Sequence, residues 1–294
     1  MKLPSPLPAA IPALFLLLSS AAAAANPRVV TLSPHLAELA CAAGACDRLV
    51  GVSAWSDFPP QVKTLPQIGD GFSVDYERVL ALHPDIVLAW DGGTPPATIA
   101  RLRGLGLKVD PVAAASLDDV AAALDRIGRD LGTETAAQAA AQAYRARLAA
   151  LRARWQDAPP IRVVYQIGTA PAYTVNAKSP ISAALALCGG VNVFASMPQI
   201  AEAIGAEAML AANPEVVLYA DSEDAAAMQA WWARLPGAFA AQHGTLYGIN
   251  ADLLARATPR LLDGTEQVCT TLERARQKLN RPLRNPAPES GSTR

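Results

Sequence analysis

A segment beginning at Tyr76, YERVLALHPDIVLAW, is written a second time from Ala206 as AEAMLAANPEVVLYA, and the two align without a gap at an offset of 130 residues. Glu77 therefore falls on Glu207. A second pair of stretches, RVVTLSP from Arg28 and RVVYQIG from Arg162, stands 134 residues apart. Two matches at nearly the same offset mean that a unit larger than one strand recurs. A single recurrence of this size makes two similar lobes, not a solenoid.

Within the first unit, residues 28–32 form a β-branched apolar run followed by SPHLAELACAAG. Here Ser33 can cap a helix, Pro34 suits its first turn and Gly44 its end. LVGVSAW supplies a second short strand, DYERVLALHP a helix stopped before Pro84, and DIVLAW a third strand that is apolar on both faces. Strands buried on both faces and alternating with helices predict a parallel α/β sheet. The second unit repeats the pattern with strands near 163–167 and 216–219, helices near 181–187 and 206–212, and a last helix over about 259–279.

Between the units the chain is Ala-rich, and from Glu134 to Trp155 it contains neither Gly nor Pro. This predicts one long helix joining the lobes. The expected organisation is a secretory signal over 1–25, a first lobe over 26–131, a connecting helix over 132–158, a second lobe over 159–281 and a disordered tail over 282–294. The signal rests on Lys2, a short apolar run over 11–18 and Ala23-x-Ala25. That layout indicates export and cleavage, because the run is too short to span a bilayer.

Export bears on the four cysteines, at 41, 46, 188 and 269, because an oxidising compartment permits disulfides. Cys188 and Cys269 both lie in the second unit, where a bridge would tie the last helix to its own lobe, and this is the preferred pair. Cys41 and Cys46 either bridge locally or remain small buried hydrophobes. A net charge of −1, with no basic cluster interleaved with aromatics, argues against a nucleic-acid partner.

Open parallel sheets bind ligands beyond the carboxyl ends of their strands, so two such lobes on one helix place a site in the groove between them. The loops there are SPH, AWSDFPP, WDGG, GTAPAYT and NADLLARATPR. No dinucleotide fingerprint, phosphate-binding Lys loop, Gly-x-Ser-x-Gly or paired-His metal motif is present. His83, ahead of Pro84, reads as a helix-end cap and His243 as a turn residue. His35 opens the first helix in the groove, facing either solvent or a ligand, including a metal-centred one. Trp55 and Trp90 follow strands and read as groove lining, whereas Trp231 and Trp232 lie in a helical stretch away from these loops. Asp252 and Arg256, four apart, form a helical ion pair or turn together towards a polar ligand.

The stretches RVVTLSPHLAELACAAGACDRLVGVSAWSDFPP, IGDGFSVDYERVLALHPDIVLAW and DLLARATPR resemble the periplasmic cobalamin-binding proteins of ABC importers, a branch of the helical-backbone binding proteins for siderophores, haem and cobalamin. The resemblance covers about residues 28–279 and is carried chiefly by LSPH-x-x-E-L, S-x-W-S-D-F-P-P and the spacing of Asp252 and Arg256 before ATPR. It implies that Trp55, Trp90 and Tyr173 pack against a corrin ring, that Asp252 and Arg256 hydrogen-bond its amide edge, and that Cys188 and Cys269 are bridged. Two departures make the cleft less aromatic than in familiar members. Gly71 stands where a Trp is usual, with Phe72 as its nearest substitute, and MPQIAEAI offers no second-lobe aromatic.

The resemblance also accounts for the repeat. One Glu on each lobe of such proteins docks to Arg residues of a two-fold permease, and Glu77 and Glu207 occupy the matching places; a pseudo-symmetric monomer presents like charges to a homodimer. The reading is a monomeric periplasmic corrinoid carrier with no cofactor of its own and no catalysis. The alternative on the same fold is a haem or ferric-siderophore binder. Haem would use Tyr173 or His35 at the iron, whereas a siderophore would ask for a more basic cleft. A secreted α/β enzyme is disfavoured because no nucleophile–base–orienter set is readable.

Overall fold

The structure is a computed structural model that describes residues 26–70 and 73–281. The expected signal over 1–25, the tail over 282–294, Gly71 and Phe72 lie outside the described residues. In the first lobe, strands β1 (Val29–Thr31), β2 (Leu49–Val52), β3 (Ile86–Trp90) and β4 (Val109–Val112) alternate with helices α1 (Pro34–Ala42), α2 (Tyr76–Ala81), α3 (Pro96–Gly104) and α4 (Asp119–Leu131). After α5 (Glu134–Trp155) come β5 (Ile161–Gln166), β6 (Tyr173–Val175), α6 (Pro180–Leu187), β7 (Gly190–Asn192), β8 (Ala201–Ala203), α7 (Ala206–Ala212), β9 (Val216–Ala220), α8 (Ala225–Ala233), α9 (Phe239–His243), β10 (Leu246–Ile249), α10 (Ala251–Leu254) and α11 (Leu261–Lys278).

The two main sheets have the orders β2-β1-β3-β4 and β7-β5-β9-β10, and every pair within them is parallel. The repeated sequence is therefore a repeated sheet, with β1 and β5 at equivalent places and β3 and β9 beside them. The faces agree as well. Ile86 and Leu88 of β3, like Val216 and Leu218 of β9, enter one core shared by both lobes. Val87 and Ala89 point to the outer core of the first lobe, and Val217 and Tyr219 to that of the second.

The same bonds enter both units. Asp85 N–H donates to the Arg28 carbonyl and Glu215 N–H to the Arg162 carbonyl, each at 2.9 Å. Arg28 N–H reaches Asp85 Oδ2 at 2.7 Å and Arg162 N–H reaches Glu215 Oε2 at 3.0 Å. Each arginine also caps the later helix that leads into β3 or β9, on the carbonyls of Leu82 and Ala212. His83 and Asn213 follow those helices with positive φ, 44° and 40°. That is the left-handed turn that ends a helix before Pro, and it makes His83 the cap its sequence context predicts.

The connector α5 buries Ala137, Ala141, Tyr144, Leu148, Leu151 and Trp155, a stripe at spacings of four and three that lies along one helical face. Its other faces carry arginines that reach both lobes. Arg152 pairs with Asp118 and Arg145 with Asp125 in the first, while Arg147 pairs with Asp263 and Glu266 in the second. At the turn into α5, Gly132 is left-handed with φ 67°, and the lack of a side chain on Gly128 lets Ala137 approach α4. The structure joins Cys188 to Cys269, tying α11 to the end of α6, and joins Cys41 to Cys46 across the end of α1. His243 closes the short helix α9 and is not a free turn residue, its Nδ1 lying 2.9 Å from the Phe239 carbonyl.

Candidate functional site

Loops after β1, β2 and β3 of the first lobe and residues of the second lobe line one groove. After β1, Ser33 has the extended backbone of a helix N-cap but makes no side-chain capping bond. The hydroxyl instead lies 3.2 Å from His35 Nδ1, so the cap read from sequence is redirected to orient an imidazole. His35 is 8% exposed and its Nε2 is buried with no partner. Burial first, and then the charge of Arg256, lower its pKa from 6.5 to about 4, so the ring is neutral at neutral pH. It packs edge-on against Trp90, centroids 5.3 Å apart.

Trp90 ends β3, where its N–H donates to Thr94 Oγ1 at 2.9 Å, and its indole lies over Gly93 where any side chain would collide with it. Trp55 follows β2 with φ 67° and is 79% exposed. A bulky residue in the left-handed region is strained, and strain of this kind collects at ligand-binding positions. With Leu32, His35, Ala255 and Arg256, the two tryptophans line a cavity of about 370 Å³. Beyond Trp90 lies another of about 360 Å³, walled by Ala114, Ala115 and Ser116 of the first lobe and by Ala177, Lys178 and Ile200 of the second. Trp90 is the wall common to both.

Arg256 stands at the mouth with its hydrogen-bonding capacity largely committed. Nη1 donates to Glu38 Oε1 at 3.1 Å and to Asp57 Oδ1 at 2.5 Å, and Nη2 donates to the Trp55 carbonyl at 3.3 Å. The helical pair with Asp252 exists too, at 3.1 Å. Burial alone would raise the Asp57 carboxyl, but the hydrogen bond and charge of Arg256 outweigh it and hold that carboxyl below its ordinary value. Arg260 makes a fork to the same Glu38 and stacks over Phe58 at 3.8 Å. Arg256 and Arg260 thus bind the second lobe to a buried carboxylate of the first. The reading of Asp252 and Arg256 as a free pair, or as two groups turned to a ligand, omits this clasp.

Of the residues singled out from sequence, His35, Trp55, Trp90 and Arg256 come together around the first cavity, with Asp252 behind Arg256. Tyr173, the first residue of β6, is 40% exposed and lines neither cavity. Glu77 and Glu207 are exposed in the first turns of α2 and α7 and line neither cavity. Glu38, Asp57, Arg260 and Lys178 escaped the sequence reading. The only signal for Glu38 was its place in LSPH-x-x-E-L, which means nothing electrostatic until its partners, more than 200 residues later, are known. Among the described residues no group of three or more His, Cys, Asp or Glu could hold a metal ion, and no helix is long and apolar enough to cross a membrane.

Residues 29–253 match the family described as Periplasmic binding protein. The vitamin B12-binding protein of Vibrio cholerae is 36% identical over 255 residues, covering 85% of this chain and 91% of that one. The crystal structure of the periplasmic vitamin B12 binding protein of Vibrio cholerae superposes with a TM-score of 0.79 at 36% identity, over 86% of this chain and 98% of the other. A periplasmic heme binding protein from Pseudomonas aeruginosa superposes with a TM-score of 0.71 at 29% identity, over 83% and 92% respectively.

Proposed function

The chain belongs to the periplasmic binding protein family, and on that premise we propose that it captures cobalamin or a related corrinoid between its lobes and delivers it to an inner-membrane ABC importer. It is a periplasmic binding protein and not an enzyme. The observation that carries the corrinoid reading is the pair of indoles at the groove, Trp55 held at positive φ with its ring in solvent and Trp90 braced by His35. A large flat macrocycle with an apolar face is what two such rings recognise. The identities to vitamin B12-binding proteins point the same way.

The second reading, haem, is favoured by the likeness to a heme binding protein and asks for an axial His or Tyr at the iron. His35 Nε2 is buried behind the Trp90 contact, and Tyr173 lines neither cavity. A cobalamin carries its own axial base and makes no such demand. On this reading Tyr173, half-exposed at the start of β6, and Phe72 add further aromatic contact to the macrocycle.

Glu77 and Glu207 serve as the docking points, one per lobe, for the two equivalent subunits of a permease homodimer, and the free carrier is a monomer. The deciding measurement is the visible spectrum retained after separate incubation with cyanocobalamin and haemin, followed by desalting. A retained corrin spectrum with no haem band supports the reading, and haem retention alone overturns it.

A further inference from the structure

Resting on the corrinoid reading, we propose that the cavity beyond Trp90 is a second compartment of the groove that takes the anionic nucleotide arm of a complete corrinoid, with Lys178 pairing its phosphodiester. A corrin ring presents neutral amides and a flat apolar face. The nucleotide arm is different in kind, carrying one negative charge and a planar heteroaromatic base. The two cavities that share Trp90 differ in the corresponding way. The first is indole-lined and governed by an arginine whose charge is already met by Glu38, Asp57 and Asp252. The second has apolar walls of Ala114, Ala183, Pro180 and Ile200, with one cation at its edge.

That cation is uncommitted. Among the described residues the Lys178 ammonium has no carboxylate partner, whereas Arg256 has three. Its backbone is held firmly, since Lys178 N–H donates to Asn176 Oδ1 at 2.8 Å and Asn176 itself is buried, with Nδ2 on the Met197 carbonyl at 2.9 Å. A flexible side chain on a fixed stem at a cavity rim suits a phosphodiester, which Lys meets as a point charge. The amino-terminal end of α6, at Pro180, opens on the same wall and adds positive potential there. Asp91, on the first-lobe wall, is the one carboxylate of the compartment, so the anion belongs on the Lys178 side. The ring would then stack at the tryptophans while the arm passes Trp90 into the second compartment.

Cyanocobalamin and dicyanocobinamide, the same corrin without its nucleotide arm, separate this subsite from the ring site. Calorimetry on the full mature chain should find that Lys178→Ala weakens cyanocobalamin by about fivefold, the upper end for a solvent-accessible charge pair, while cobinamide is unchanged. Lys178→Arg should retain most of the affinity. Ala177→Trp, a substitution at an exposed position on the cavity wall, should also weaken cyanocobalamin selectively, and added salt should weaken cyanocobalamin more than cobinamide. If Lys178→Ala and Ala177→Trp change both ligands equally, or neither, the second compartment is refuted while the corrinoid reading stands. Wild-type protein that retains neither corrinoid refutes both.

Discussion

Glu38 on α1 and Arg260 ahead of α11 are 222 residues apart in sequence and meet as a two-pronged ion pair, 3.0 Å at Nε and 2.6 Å at Nη2. Arg256 adds a third bond to the same carboxylate, whose side chain is 2% exposed. A carboxylate so buried needs all its partners, and both cations come from the opposite lobe. The clasp therefore sets the lobes against each other at the edge of the groove, while the arginines of α5 do so along its back.

Glu38→Ala leaves two partly buried guanidinium groups without their shared anion, so it should destabilise the protein by about 3–5 kcal/mol, the range for breaking one side of a buried pair. Urea unfolding monitored by fluorescence measures this. A loss below about 1 kcal/mol would mean that water enters freely and the clasp is ornamental. Asp252→Ala should cost far less stability, because Asp252 is exposed and meets Arg256 alone.

The tryptophans should divide by role. Trp55→Ala removes an indole already in solvent, so folding stability should hardly change while corrinoid affinity falls by about ten- to a hundredfold, the loss of a stacking contact worth about 1–3 kcal/mol. Trp90→Ala should lower affinity too, with a small stability cost from its contact with His35. Trp231 packs edge-on against Trp232 in the outer core of the second lobe, and Trp231→Ala should leave affinity intact. Equal affinity losses at Trp55 and Trp231 would misplace the groove.

His35 gives the site a definite pH signature. Its folded pKa, about 4, lies below the unfolded value of 6.5, so between those values the unfolded chain binds more protons than the folded one. Stability should then be full above about pH 6.5 and fall as pH drops towards 4, by at most about 3 kcal/mol from this group. His35→Asn should flatten that part of the profile, measured by unfolding at pH 5 and pH 7.5. An unchanged slope in the variant would show that the imidazole is not the group responsible. The Asp57 carboxyl, held low by Arg256, contributes stability that is lost only at still lower pH.

Much of this architecture was readable because it is periodic or repeated. The offset between Tyr76 and Ala206 anticipated equal sheet orders, and the Gly-free and Pro-free stretch from Glu134 to Trp155 anticipated the connector. Strand ends located the groove through a general rule of parallel sheets. What stayed hidden was set by contacts between distant residues. Ser33 looked like a cap because its local sequence says so, but the nearby imidazole competes for its hydroxyl. Arg256 looked paired with Asp252 alone because Glu38 and Asp57 are 218 and 199 residues away. No spacing rule joins such partners, since it is the folded lobes that bring them together.

The repeat itself yields the remaining prediction. Glu77 and Glu207 sit at the same step of α2 and α7, each in the first turn of a helix whose end is capped by an arginine, Arg28 in one lobe and Arg162 in the other. Both side chains are exposed and neither carboxylate has an ion-pair partner among the described residues, so reversing either charge breaks nothing inside the carrier. Glu77→Lys and Glu207→Lys should leave corrinoid affinity within about twofold of wild type, since rim charges far from a ligand act weakly through solvent. Uptake into vesicles carrying the cognate importer should fall in each single variant and fall further in the double, as the proposed docking of each lobe to its own permease subunit requires. Compensating Arg→Glu changes in the permease should recover part of the loss. Normal uptake by the double variant would sink the docking role, and so would a single variant that loses affinity as strongly as Trp55→Ala.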